Sequence, residues 1–150
     1  MTAPITEFRG EHHYLSNFFP SAIVHTLTDG RKMRFSNAEA AFQAEKALPR
    51  AHEFCDLSPS DAKRLGRQVI LRADWDDVRE DIMRRVVHEK FAQHPDLAQK
   101  LIATGDACLI EGNTWNDRTW GAVYDMHRER YVGQNKLGEI LMDVRDALST

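Results

Sequence analysis

Glu39, Gln43 and Lys46 are spaced four and three residues apart, which puts their side chains on one face of a helix. A carboxylate, an amide and an ammonium in one row can hold sugar hydroxyls and answer a phosphate as a point charge. A second group, Asn116-Asp117-Arg118-Thr119-Trp120-Gly121, sets an acid three residues before an indole. Such an indole offers a platform on which a base stacks for about 1–3 kcal/mol. A third candidate is Trp75, between Asp74 and Asp76 at the start of a predicted helix, where free amide groups suit an anion. Each group also has a plain structural reading. Ser36 and Glu39 fit a capping box with Lys46 solvated; Asp117 fits a turn with Trp120 in the core; Asp74, Asp76 and Asp77 fit a cap and dipole partners. Spacing alone favours the structural reading of each.

Other chemistries have less support. His12-His13 and the Asp125/His127 pair lack metal-ligand spacing, and Cys55 and Cys108 lie too far apart for a zinc set. Both thiols are expected to be buried or half-buried. The sequence holds no Gly-rich phosphate loop and no Gly-x-Ser-x-Gly elbow.

The elements that must position these residues are mostly helical. Ala22–Thr26 and Lys32–Phe35 read as a hairpin across Thr28-Asp29-Gly30, because Asp-Gly accepts the positive φ of tight turns. A helix capped by Ser36 is expected to run to Leu48. Ser58-Pro59 opens a short helix with Gly66 near its end. A long helix capped by Asp74 reaches about Ala92, with Val78, Ile82, Val86 and Phe91 as its apolar stripe. Pro95 opens another, closed by Thr104-Gly105. Cys108-Leu109-Ile110 reads as a short strand. The last helix starts near Asn135 and shows Leu137, Ile140, Leu141, Val144 and Leu148 on one face. The segment 111–133 has no sustained periodicity, and a polar loop of that length is often functional. Its Trp115, Trp120 and Tyr124 need a core or a ligand to pack on. These elements define an α+β chain, a single mostly helical domain over residues 1–150 with a small β-sheet.

Composition sets outer limits. With 150 residues, 42% hydrophobic and 29% charged, the chain can fold as one globular domain. A net charge of −3 argues against holding duplex nucleic acid through a large positive field and leans toward a small-molecule partner. No signal peptide or membrane-length apolar run is visible, so a cytoplasmic protein without membrane contact is expected.

The ordered blocks across the chain resemble the YbiA-like N-glycosidases, the NADAR family. They are Leu15-Ser16-Asn17-Phe18 with Pro20-Ser21; Glu39 with Phe42-Gln43-Ala44 and Lys46; Ala62-Lys63-Arg64-Leu65-Gly66-Arg67; and Leu71-Arg72 with Asp74-Trp75. Lys90-Phe91, Thr104-Gly105-Asp106, Leu109-Ile110-Glu111, Asp117 with Trp120-Gly121, and Gly133, Asn135, Leu137-Gly138 and Leu141-Met142 continue the pattern. Two positions depart from it: Ala40 stands where the family usually has His, and Ala122-Val123 follows the Trp-Gly block in place of a second glycine. The resemblance implies cleavage of a ribosyl C–N bond without a cofactor. The partner would be a small ribosyl nucleotide, such as a riboflavin-pathway intermediate, or ADP-ribosylated guanine in nucleic acid. By similarity Glu39, Trp75, Asp117, Trp120 and Lys46 are expected to be catalytic. Ser16, Asn17, Phe18, Gln43, Gly121 and Asn135 are expected to bind substrate. Two rivals use the same residues otherwise: a non-catalytic ADP-ribose-binding module, and a partner domain whose Trp-rich loop meets another protein.

Overall fold

The computed structural model describes residues 2–150. The order is a 3-10 helix Gly10–Leu15, β1 Ile23–Thr26, β2 Lys32–Phe35, α1 Ala38–Ala44, a second 3-10 helix Leu48–Phe54, α2 Pro59–Gly66, α3 Trp75–Gln93, α4 Pro95–Ala103, β3 Val123–Asp125, β4 Arg130–Val132 and α5 Lys136–Leu148. The expected α+β class, mostly helical, holds. The small sheet is in fact two separate antiparallel pairs, β1-β2 and β3-β4. No helix among the described residues is long and apolar enough to cross a membrane.

The chain forms two compact units, one of Asn17–Pro95 and one joining the segment up to Ser16 to Asp96–Thr150. In the Asn17–Pro95 unit, β1 and β2 pair with Ile23 opposite Phe35, and Gly30 takes φ 91° in the turn between them. The N-cap of α1 is Asn37, whose side chain accepts from the Ala40 amide at 2.8 Å and donates to the Leu57 carbonyl. Ser36 instead turns its hydroxyl to the Cys55 carbonyl, which displaces the expected capping box. The helix stops at Ala44 rather than Leu48. Pro49 disfavours helix at Leu48, and Arg72 receives the last carbonyls: its backbone amide donates to Lys46 and its guanidinium to Glu45. Asp74 does not cap α3 with its side chain, because Arg72 grips that carboxylate at 2.6 and 3.1 Å.

His25 anchors this unit. It is fully buried, its Nε2 lies 2.7 Å from Glu45 and its Nδ1 2.5 Å from Glu89. Both nitrogens face carboxylates, so the ring is an imidazolium donating twice. Burial opposes that charge, but the bonds to Glu45 and Glu89 outweigh it and raise the pKa of His25. Burial likewise works to raise Glu45, and its bonds from His25 and Thr28 bring it below the usual range.

In the other unit, α5 buries Leu137, Ile140, Leu141 and Val144 as expected, with Leu148 half-buried. Leu109 pairs with Ile5 in a single bridge rather than a strand. Around it Ala107 and Leu109 point inward, so Cys108 is exposed instead of buried, while Cys55 is half-buried. The aperiodic segment 111–133 hides the β3-β4 hairpin, whose turn Asp125 closes by accepting from His127 and Arg128.

Two opposite pH responses follow. The stabilisation from His25 is complete below its ordinary pKa of about 6.5 and is lost as pH rises through the raised native value. His25→Leu should cost about 3–5 kcal/mol near pH 6, by leaving two carboxylates without their cation, and less at pH 9 in urea melts. A deficit that widens with pH would contradict this. Lys90 is buried, and that burial pulls its pKa down to about 7. Between there and its ordinary value of about 10.5 the unfolded chain holds a proton that the native one lacks, so stability rises across that window. Lys90→Met should remove this rise, leaving stability flatter between pH 7 and pH 10 in the same melts, and an unchanged slope would contradict the assignment.

Candidate functional site

Asn17, Phe18, Glu39, Gln43, Lys46 and Trp75 belong to the Asn17–Pro95 unit; Ser16, Asp117, Trp120, Gly121 and Asn135 belong to the other.

In the first set, the face expected from spacing exists. Glu39 is 8% exposed and Gln43 4%, and Gln43 Nε2 donates to Glu39 Oε2 at 2.7 Å. A buried carboxylate is thereby held in one orientation by an amide one turn on. Gln43 fits because Gly66 on α2 lacks a side chain: a Cβ there would lie 2.0 Å from Gln43 Oε1. That oxygen is buried and has no hydrogen-bond partner, so an acceptor waits beside Glu39. Trp75 is buried against Phe42, with ring centroids 5.1 Å apart, and Lys46 Nζ lies 5.7 Å from the Trp75 ring centroid. Burial lowers the pKa of Lys46; Glu39 acts to raise it, and the nearby Arg67 and Lys63 lower it further. Its ammonium is thus easier to deprotonate than a surface lysine. Asn17 ties the entering chain to α1: its carbonyl accepts from the Glu39 amide and its side chain donates to Met83 Sδ. Phe18 is partly exposed, with Lys63 Nζ 5.9 Å from its ring centroid.

The second set is built around buried Asn113. Its Oδ1 accepts from the Asp117 amide at 3.0 Å, and its Nδ2 donates to the Asp117 carbonyl at 2.9 Å. Asp117 Oδ1 then accepts from the amides of Thr119 and Trp120, both at 3.0 Å, closing a tight turn after Asn116 at φ 67°. The turn aims carbonyls at the start of α5: Gly121, Thr119 and Trp120 accept from Asn135, Lys136 and Leu137. Those amides are therefore occupied. Gly121 is required by closeness, since a Cβ would fall 2.2 Å from the Glu111 carbonyl. Asn135, at φ 48°, commits its side chain to the backbone, accepting from the Glu111 amide and donating to the Leu109 carbonyl. Trp120 is half-buried, Ser16 ends the first 3-10 helix, and Trp115 is exposed.

Sequence reasoning did not single out Lys63, Arg67, Phe42 or Asn113 as site residues. The signal for the first two was present, because 63 and 67 are one turn apart on α2 and flank Gly66.

The family model of the NADAR domain matches residues 6–149, so the chain belongs to the NADAR family. The N-glycosidase YbiA of Escherichia coli is 38% identical over 117 residues, 75% of this chain and 69% of that protein. An N-glycosidase of Nostoc punctiforme is 35% identical over 76% of this chain and 74% of its own length. A riboflavin biosynthesis protein of Vibrio vulnificus is 38% identical over 91% of this chain, which spans only 36% of that longer protein. The NMR structure of Escherichia coli YbiA superposes with a TM-score of 0.78 at 34% identity, covering 99% of this chain and 87% of that one.

Gly66→Ala tests the packing at Gln43. The added methyl must push the amide away from Glu39, and the far end of a flexible side chain yields at modest stability cost. The melting temperature is expected to fall by a few degrees, and the Glu39-dependent function described below more than the fold. Crystal coordinates of the variant with the 2.7 Å bond to Glu39 intact would refute this.

Proposed function

We propose that this chain is an N-glycosidase that hydrolyses the C–N bond between ribose and a base or amine in a small phosphorylated substrate of the riboflavin-pathway ribosylamine class. The observation that carries the reading is the row on α1: a buried carboxylate fixed by Gln43, followed by a half-buried amine over the face of Trp75. The names of the relatives in Escherichia coli, Nostoc punctiforme and Vibrio vulnificus support the same bond and pathway.

Breaking a ribosyl C–N bond builds positive charge at the anomeric carbon, and the departing nitrogen needs a proton. Glu39, as the carboxylate, balances the first, takes a proton from the attacking water and passes it to the nitrogen. Water adds to the anomeric carbon, the C–N electron pair leaves with nitrogen, and the nitrogen takes the proton. Trp75 gives the substrate an aromatic wall. Asp117, in the other unit, enters the proposal separately, as a carboxylate on which turnover depends.

The lowered pKa of Lys46 favours a second route. Lys46 Nζ adds to the anomeric carbon of the ring-opened sugar, and the substrate nitrogen departs as the protonated amine. Water then hydrolyses the resulting imine and returns the free lysine. Borohydride should trap a protein–sugar adduct that Lys46→Ala abolishes. If no adduct forms and Lys46→Ala raises only KM, Lys46 is a binding cation and the direct route stands.

Glu39→Gln and Asp117→Asn each remove a charge while keeping shape, and an amide oxygen at 117 can still accept from Thr119 and Trp120. Turnover of a ribosylamine phosphate, followed by mass spectrometry of base and sugar, should fall on the order of 10²-fold or more in each. Near-normal rates in both variants would remove the catalytic assignment. Tight nucleotide binding without product would identify a binding module instead, and release of guanine from ADP-ribosylated DNA alone would move the substrate to nucleic acid.

A further inference from the structure

Lys46 follows the end of α1, the helix that carries Glu39 and Gln43, and the end of α2, with Lys63 and Arg67, packs on that helix at Gln43. Lys63 and Arg67 come from one turn at the end of α2, on either side of the Gly66 that packs on Gln43. Their charges act on Lys46, and Lys63 Nζ lies 5.9 Å from the Phe18 ring centroid. Among the described residues no carboxylate closes an ion pair with any of the three. The neighbouring Arg64, by contrast, turns away to Asp61 at 2.8 Å. Three like charges around one acid repel one another, and the arrangement becomes favourable when an anion arrives. Beside them the Glu39 carboxylate, oriented by Gln43, is an acceptor for a sugar hydroxyl. One ligand answers both the carboxylate and the cations: a sugar that carries a phosphate.

We propose that Lys63 and Arg67 are the residues that read the phosphoester of the substrate sugar, leaving Lys46 to act at the carbon. This rests on the proposed N-glycosidase reading for its substrate, but the subsite is a binding claim of its own. Division of labour follows from position. Lys46 follows the end of α1, just past Glu39 and Gln43, whereas Lys63 and Arg67 lie at the end of α2, where Gly66 packs on Gln43.

Calorimetry with ribose 5-phosphate and with ribose separates the subsite from the reaction. The wild-type chain should bind ribose 5-phosphate and bind ribose at least tenfold more weakly. Lys63→Gln and Arg67→Gln should each weaken ribose 5-phosphate about tenfold, as expected for loss of one charge-assisted contact, while Arg64→Gln changes it less than twofold. Circular dichroism melts check that all three variants fold. In turnover, the Lys63 and Arg67 variants should raise KM for a phosphorylated ribosylamine with kcat held within about twofold. Their preference for phosphorylated over dephosphorylated substrate should collapse. No binding of ribose 5-phosphate by the wild-type chain, or equal losses in all three variants, would overturn the proposal. Selective binding without any C–N cleavage would leave the subsite standing and remove the N-glycosidase reading. Cleavage with an unchanged phosphate preference in both variants would do the reverse.

Discussion

The Asn17–Pro95 unit depends on one buried charge, the imidazolium of His25. It joins three elements: β1 through its own backbone, the end of α1 through Glu45, and α3 through Glu89. Glu45 is wholly buried and would be costly there without compensation. It is compensated almost completely, by His25, by the amide and hydroxyl of Thr28, and by Arg72. A set of this kind is specific rather than strongly stabilising, because the desolvation of each ion offsets much of the attraction. What it supplies is position.

Position matters because Glu45 is next to Lys46. Arg72 bonds the Glu45 side chain, the Glu45 carbonyl and the Lys46 carbonyl, and three residues later the chain places Trp75 beneath the Lys46 amine. The same arginine therefore ends α1, holds Asp74 and sets the distance between amine and indole. An exposed Arg-Asp pair in a loop would contribute little. Here the guanidinium is mostly covered, and its loss would leave the Glu45 carbonyl and carboxylate each short of a donor. The face of α1 that carries Glu39 and Gln43 is thus fixed at both ends, by Asn37 and Asn17 at the start and by Arg72 at the finish.

Much of this was legible in the sequence because it rests on local chemistry. The β1-β2 hairpin follows from Asp29-Gly30, α2 from Ser58-Pro59, and α5 from the period of Leu137, Ile140, Leu141 and Val144. The row of Glu39, Gln43 and Lys46 needed only helical spacing. What failed was decided by partners far along the chain. Ser36 lost the cap to Asn37 because Cys55 offers its hydroxyl a carbonyl and Leu57 gives Asn37 a second bond. Asp74 lost its cap to Arg72, an ion pair that competes with the helix end. The β3-β4 hairpin escaped notice because its strands are three residues each, too short for alternation to register, and its turn is closed by Asp125 rather than by glycine. The pairing of Asp61 with Arg64, by contrast, follows from their spacing of three on α2.

Asp117 shows how a structural and a chemical role fit one side chain. As a turn closer it needs only one acceptor, and Oδ1 serves the amides of Thr119 and Trp120. Those two bonds fix the carboxylate plane, so Oδ2 is held in orientation without taking part in either. Asn113 fixes the backbone on both sides of the same residue, which keeps the plane from swinging with the loop. A carboxylate on an untethered surface loop would spend rotamer entropy each time it engaged a ligand. Here that entropy is spent on folding the turn that also caps α5, so the reading of Asp117 as a turn residue and as a reactive acid are not alternatives. In the proposed reaction the turn would preorganise Asp117, as the amide of Gln43 would Glu39.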